Sequence, residues 1–143
     1  MTSEKRPNVI AIIPARMASQ RFPGKVVAPL AGKPLVWHVF DRTRQATLVD
    51  EVIVAVDDPQ ITAALEPLGV RCIMTRPDHP SGTDRIAEVA AGLNADIVVN
   101  VQGDEALIEP ATSDAPIQPL LDDPTLPMAT VCHVIHDPAA IKD

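Results

Sequence analysis

The stretch Val9-Ile-Ala-Ile-Ile13, followed directly by Pro14-Ala-Arg-Met-Ala-Ser-Gln-Arg-Phe-Pro-Gly-Lys25, decides how the rest of the chain is read. Its first part is a continuous apolar run rich in β-branched residues, as expected of a buried strand. The loop after it carries Arg16, Arg21 and Lys25, with Gly24, Pro14 and Pro23 shaping the backbone and Ser19 as a small polar group. In an acidic chain, such a cluster of cations just past a strand's carboxyl end points to a polyanion such as a triphosphate. A Walker A loop is excluded, because the positions that would need Gly and Ser/Thr hold Ser19 and Val26. The dinucleotide fingerprint is excluded too, since it needs three closely spaced glycines. Residue types alone fit a solvated basic loop equally well. Its place after the first strand of an α/β pattern favours the ligand.

Outward from this loop, charge is distributed unevenly. The net charge of −7 hides a basic first third: residues 1–44 hold eight of the twelve Lys/Arg and two of the nineteen Asp/Glu. A long nucleic acid would want a broad basic face with stacking aromatics. One Trp, two Phe and no Tyr argue against that partner, and the compact positive region suits a small anion better. A length of 143 residues with 46% hydrophobic content sets the expectation of one nucleotide-binding domain over 1–143, not a disordered tail. Cys72 and Cys132 lack metal-ligand spacing and are expected as buried thiols. Near Lys5 and Arg6 the apolar run is too short for a signal peptide, and no stretch has the length of a membrane span. A cytoplasmic location is the expectation, with no membrane partner.

The chain then alternates strand and helix. Ala31-Gly-Lys-Pro34 leads into a helix whose inward stripe is Leu35, Val36, Val39, Phe40 and Thr43, with Trp37 and His38 in structural roles. Glu51–Val56 is a second buried strand, ending at Asp57-Asp58. A helix from Pro59 to Gly69 has an irregular last turn near Pro67. Val70–Thr75 is a short third strand. Ser81 and Asp84 form a capping box ahead of a helix with Ile86, Val89, Ala90 and Leu93 on one side. Asp96–Val101 is the fourth strand and runs into Gln102-Gly-Asp-Glu105. One helix is expected over Glu109–Asp123, with its register disturbed by Pro116 and Pro119, and a fifth strand over Met128–Ile135. In that strand His133 and His136 would face opposite ways, which disfavours a metal site.

Strands separated by amphipathic helices imply a mostly parallel open sheet with helices on both faces. In such sheets ligands sit outside the carboxyl ends of the strands. Four polar groups follow four strands and therefore share one edge: Pro14–Lys25, Asp57-Asp58, Arg76–Arg85 and Gln102–Glu105. Arg16, Arg21 and Lys25 can neutralise phosphates. Asp104 is placed to hold a hard cation, and Mg²⁺ suits a site of one or two carboxylates completed by substrate phosphates and water. No Ser/His/Asp or Cys/His arrangement stands out. Positioning and electrostatics are what phosphoryl-group chemistry mainly requires.

These residues resemble a known family. Ile13-Pro-Ala-Arg16, Ser19, Arg21, Pro23-Gly-Lys25, Gly32-Lys-Pro34, Ser81-Gly-Thr-Asp-Arg85 and Val101-Gln-Gly-Asp-Glu105 follow the order seen in the 3-deoxy-D-manno-octulosonate (KDO) cytidylyltransferases, the CMP-KDO synthetases. The resemblance implies a Rossmann-like nucleotidyltransferase fold. It also implies reaction of CTP with the anomeric hydroxyl of KDO to give CMP-KDO and pyrophosphate, for lipopolysaccharide synthesis. By the same resemblance Arg16, Lys25 and Asp104 are the catalytic residues. Pro14, Ala15, Ser19, Arg21, Arg76, Ser81 and Gln102 complete the nucleotide site, and Asp104 binds Mg²⁺. Ala106 departs from the family's usual Pro. The family's second metal-binding Asp, most of its sugar pocket and its homodimer interface are expected beyond residue 143. A non-catalytic CTP-binding remnant and a cytidylyltransferase for another acid sugar, such as a sialic acid, remain the alternatives.

Overall fold

The computed structural model describes residues 5–142, so the outermost residues of the expected 1–143 domain lie outside the described part. In chain order the elements are β1 (Val9–Ala15), β2 (Pro29–Leu30), β3 (Lys33–Pro34), α1 (Leu35–Thr43), β4 (Glu51–Val56), α2 (Pro59–Leu65), β5 (Cys72–Met74), α3 (Gly82–Ala91), β6 (Ile97–Asn100), α4 (Pro110–Asp114) and α5 (Ile117–Asp122). The main sheet is parallel, with strands ordered β5-β4-β1-β6. β1 is paired on both sides: Ile12 lies opposite Ile53 of β4 and Asn100 of β6. A strand in that position needs apolar side chains on both faces, which explains its unbroken hydrophobic run.

Alternation along β1 splits the core in two. Val9, Ala11, Ile13 and Ala15 point to one face, where Val36 and Val39 of α1, Ile61 and Leu65 of α2 and Ile117 of α5 cover them. Ile10 and Ile12 point to the other face, against Ile86 and Val89 of α3. Ile12, Ile13 and Ile53 are fully buried, and each such side chain contributes about 1.5–3 kcal/mol. Helices thus lie on both faces, as expected.

Several local features differ from the sequence expectation. Residues 29–34 form a two-residue hairpin, with Ala31 at φ 48° and Gly32 at φ 81°, before α1 begins. His38 Nε2 lies 2.6 Å from the Leu30 carbonyl and ties α1 to that hairpin. Lys33 Nζ sits 4.7 Å from the Trp37 ring centre. The helix expected over Glu109–Asp123 is two short helices, interrupted at Ala115 and Pro116. Pro116 cannot donate a backbone hydrogen bond, so the ladder breaks there although Ala115 keeps helical geometry.

Met128–Ile135 is not a strand. Among the described residues it makes no backbone ladder to the outer edge of β6, and a space of about 510 Å³ opens between Met128–Val131 and Ile97–Val101. An extended apolar run becomes a strand only when a neighbour supplies its hydrogen bonds. His133 and His136 therefore sit on an exposed irregular segment, and Cys132 is exposed instead of buried. Cys72 is half-buried, and burial, with Glu66 nearby, pushes its thiol up to about 11. No helix among the described residues is long and apolar enough to cross a membrane.

Candidate functional site

Parallel pairing brings the ends of β5, β4, β1 and β6 to one edge, and a cleft of about 690 Å³ opens there. Pro14, Ala15, Arg16, Ser19, Arg21, Lys25, Ser81, Gln102 and Asp104 all line it. Arg76 does not: its side chain is exposed, with Nε 3.6 Å from Asp78 Oδ1. A second, smaller cleft of about 270 Å³ is bordered by Arg44 and Arg71, whose guanidinium groups are already paired with Asp41 and Glu51.

The basic loop is a folded turn. The Met17 carbonyl accepts from Gly24 N–H at 2.8 Å, which closes the loop on itself. Gly24 has φ 72°, a left-handed conformation that favours glycine, and Lys25 then starts a short 3₁₀ turn to Val27. At the loop's other end Met17 N–H donates to Asp57 Oδ1 at 3.1 Å. Asp57 thus fixes the basic loop, while its neighbour Asp58 caps α2 by accepting from Gln60 N–H at 2.8 Å.

α3 begins at the cleft. Ser81 Oγ accepts from Asp84 N–H at 3.1 Å and also donates to the Asp84 carboxylate. This is a capping pair, although the acidic side chain meets the serine hydroxyl and not the cap's backbone N–H. The loop after β6 presses on β1 from the other side. A Cβ at Gly103 would stand 2.7 Å from the Pro14 carbonyl oxygen, so only glycine fits without a backbone shift. That close approach carries Asp104 to Lys25, where Oδ2 lies 2.9 Å from Nζ. The pair is half-exposed and borders the cleft.

The cleft therefore has three cations of one loop on one wall, a helix start on another and one carboxylate between them. It can take an anionic ligand with several phosphate groups. The donor set also suits a hard cation bound jointly by Asp104 and a ligand's oxygens. Among the described residues, no group of three or more His, Cys, Asp or Glu forms a self-sufficient metal site. A cation here would need ligand oxygens.

Six lining residues have no role assigned from the sequence: Phe22, Val26, His79, Gly82, Arg85 and Gly103. Phe22 lies inside the basic loop and is 55% exposed, which is unusual for a large aromatic. His79 bonds through Nε2 to Glu88 Oε2, and this bond holds the Glu88 carboxyl below its usual range. Arg85 is buried. Its position four residues before Val89, on the inward side of α3, is the signal that could have found it.

A family model described as Cytidylyltransferase matches residues 10–143. A 3-deoxy-manno-octulosonate cytidylyltransferase of Pelobacter propionicus is 59% identical over 124 residues, which is 87% of this chain and 49% of that protein. The enzyme of the same name from Escherichia coli is 45% identical over 93% of this chain and 56% of its own length. Among solved structures, a CMP:2-keto-3-deoxy-manno-octonic acid synthetase complexed with CTP superposes with a TM-score of 0.81 at 46% identity, over 84% of this chain and 50% of that one. The chain thus spans about half the length of these relatives.

Proposed function

The chain belongs to the cytidylyltransferase family, and from that premise we propose that its cleft binds CTP for transfer of the cytidylyl group to the acid sugar KDO. One observation carries the proposal: Arg16, Arg21, Lys25 and Asp104 line a single cleft at the carboxyl ends of parallel strands. That charge pattern fits a triphosphate. Relatives named for the KDO reaction, and one solved with CTP, supply the base and the sugar.

In the proposed reaction, the anomeric oxygen of the sugar forms a bond to the α-phosphorus of CTP. The bond from that phosphorus to the bridging oxygen breaks, pyrophosphate leaves, and the hydroxyl proton passes to solvent. Arg16, Arg21 and Lys25 hold the phosphate oxygens and stabilise charge on the departing pyrophosphate. In this reading Ser81 and Gln102 meet the nucleoside, together with Pro14 and Ala15, and Ser19 shapes the loop; all five line the cleft. Asp104 is the residue to hold a divalent cation, with Mg²⁺ the expected ion. When bound, that ion supplies neutralising charge at the phosphate oxygens. A small-molecule cleft of this kind calls for neither nucleic acid nor membrane as partner, and a cytoplasmic location suits both substrates.

Calorimetry tests the reading. The chain should bind CTP more tightly than ATP or GTP, and Mg²⁺ should strengthen binding. Lys25→Ala and Arg16→Ala should each weaken CTP by about 2 kcal/mol, roughly thirtyfold, and leave cytidine nearly unchanged. Equal affinity for the three nucleotides would remove the cytidylyl reading. Equal loss for CTP and cytidine would make these side chains supports of the fold.

A further inference from the structure

Arg85 is, among the described residues, the one buried Lys or Arg, with 2% of the residue exposed. Its Nη1 donates to Thr75 Oγ1 at 2.9 Å and lies 3.7 Å from Asp57 Oδ2. Thr75 donates in turn to the Val56 carbonyl, through its hydroxyl and its N–H, both at 2.8 Å. A guanidinium on α3 thus reaches the ends of both β4 and β5.

A buried cation is costly unless it is paired, so this arrangement needs a compensating role. The structure gives it one through Asp57. One oxygen of that carboxylate faces Arg85, and the other accepts from Met17 N–H at 3.1 Å. Met17 in turn takes Gly24 N–H on its carbonyl, and Gly24 immediately precedes Lys25. The relay Arg85–Asp57–Met17–Gly24 therefore runs from the inner side of α3 to the lysine of the basic loop.

We propose that Arg85 is a positioning residue for the phosphate-binding loop, acting through Asp57 to fix the backbone that aims Lys25 and Arg16 into the cleft. This inference rests on the nucleotide reading above for its ligand, though not for its geometry. Orientation matters here because a misplaced loop leaves its cations solvated and less able to meet phosphate oxygens. A lysine in place of Arg85 would keep the charge but would not place its one nitrogen where Nη1 meets both Thr75 and Asp57.

The test uses the chain with Arg85→Met, Arg85→Lys, Asp57→Asn and the Arg85→Met/Asp57→Asn double variant, each with its melting temperature recorded. Two readouts are taken: exchange of the Met17 amide hydrogen without ligand, and affinities for CTP and cytidine. Arg85→Met and Asp57→Asn should each speed Met17 exchange and weaken CTP by about tenfold, with cytidine unchanged. The double variant should lose no more than either single change, because both cut one relay. Arg85→Lys should fall between wild type and Arg85→Met. If Arg85→Met does not fold, Arg85→Lys and Asp57→Asn decide on the same two readouts. Unaltered Met17 exchange overturns the proposal, as do losses that add in the double variant, which would mean that Arg85 meets the ligand directly. Equal losses for CTP and cytidine also overturn it. If the wild-type chain fails to prefer CTP, the nucleotide reading falls, and the Met17 readout still judges the relay.

Discussion

Lys25 and Asp104 are paired at 2.9 Å across the cleft, so each occupies the other's place for a ligand. Binding a triphosphate together with a divalent ion would move Lys25 to phosphate and Asp104 to metal. Binding the bare triphosphate leaves the Asp104 carboxylate as an uncompensated like charge. Asp104→Asn should therefore tighten CTP when the metal is chelated and weaken it when Mg²⁺ is present. Titration calorimetry in the two buffers checks this, and a change of the same sign in both would show that the pair does not gate the ligand. Gly103 sets the position of Asp104. Gly103→Ala places a methyl against the Pro14 carbonyl, and the forced shift should cost about 1–3 kcal/mol in a denaturant melt. At this scale the sequence showed the charged loop plainly, because its cations stand close together along the chain. Arg85 stood within the quoted Ser81–Arg85 motif, but its burial was not legible, because its partners Asp57 and Thr75 come from the ends of distant strands.

α3 joins stability to the site, since its first turn borders the cleft and its inner face covers Ile10 and Ile12. Ser81→Ala removes the acceptor for Asp84 N–H and should cost about 1 kcal/mol, lowering the melting temperature by roughly 3 °C. Farther along the helix, the His79 bond holds the Glu88 carboxyl below its ordinary value. A depressed carboxyl contributes stability above its unfolded value, about 4.3, and loses it as pH falls through the lower folded value. Thermal melts between pH 7 and pH 3 should thus fall more steeply for wild type than for Glu88→Gln; parallel curves would contradict the linkage. Long periodic elements were legible: β1, β4 and α3 declare themselves through apolar spacing. The hairpin β2–β3 was not, because its strands have two residues each and its turn is Ala31-Gly32, without the usual Asn or Asp. Met128–Ile135 misled for the opposite reason. Its composition is strand-like, but hydrogen-bond partners are a property of the neighbourhood and not of the segment.

Across the molecule, four of the twelve Lys and Arg line the cleft where phosphates would sit: Arg16, Arg21, Lys25 and Arg85. Residues 106–141 carry no Lys or Arg, so this part offers no cation for the carboxylate of an acid sugar. CTP should accordingly bind without turnover: mixed with KDO or a sialic acid, this chain alone is expected to release no pyrophosphate above background. Release that is abolished by Asp104→Ala would prove the site complete and that expectation wrong. The central place of β1 has one more consequence, in time. β1 is made first, but its second neighbour, β6, begins only at Ile97, more than 80 residues later. At about 5–20 residues per second, a ribosome needs roughly 4–16 s to close that interval. Through those seconds Val9–Ile13, the most apolar run of the chain, has at most one flank protected. The nascent protein must then wait for distant pairings before its sheet can lock, as parallel topologies of high contact order do. Newly made chains held at this stage should be what a chaperone captures and what associates when synthesis is fast.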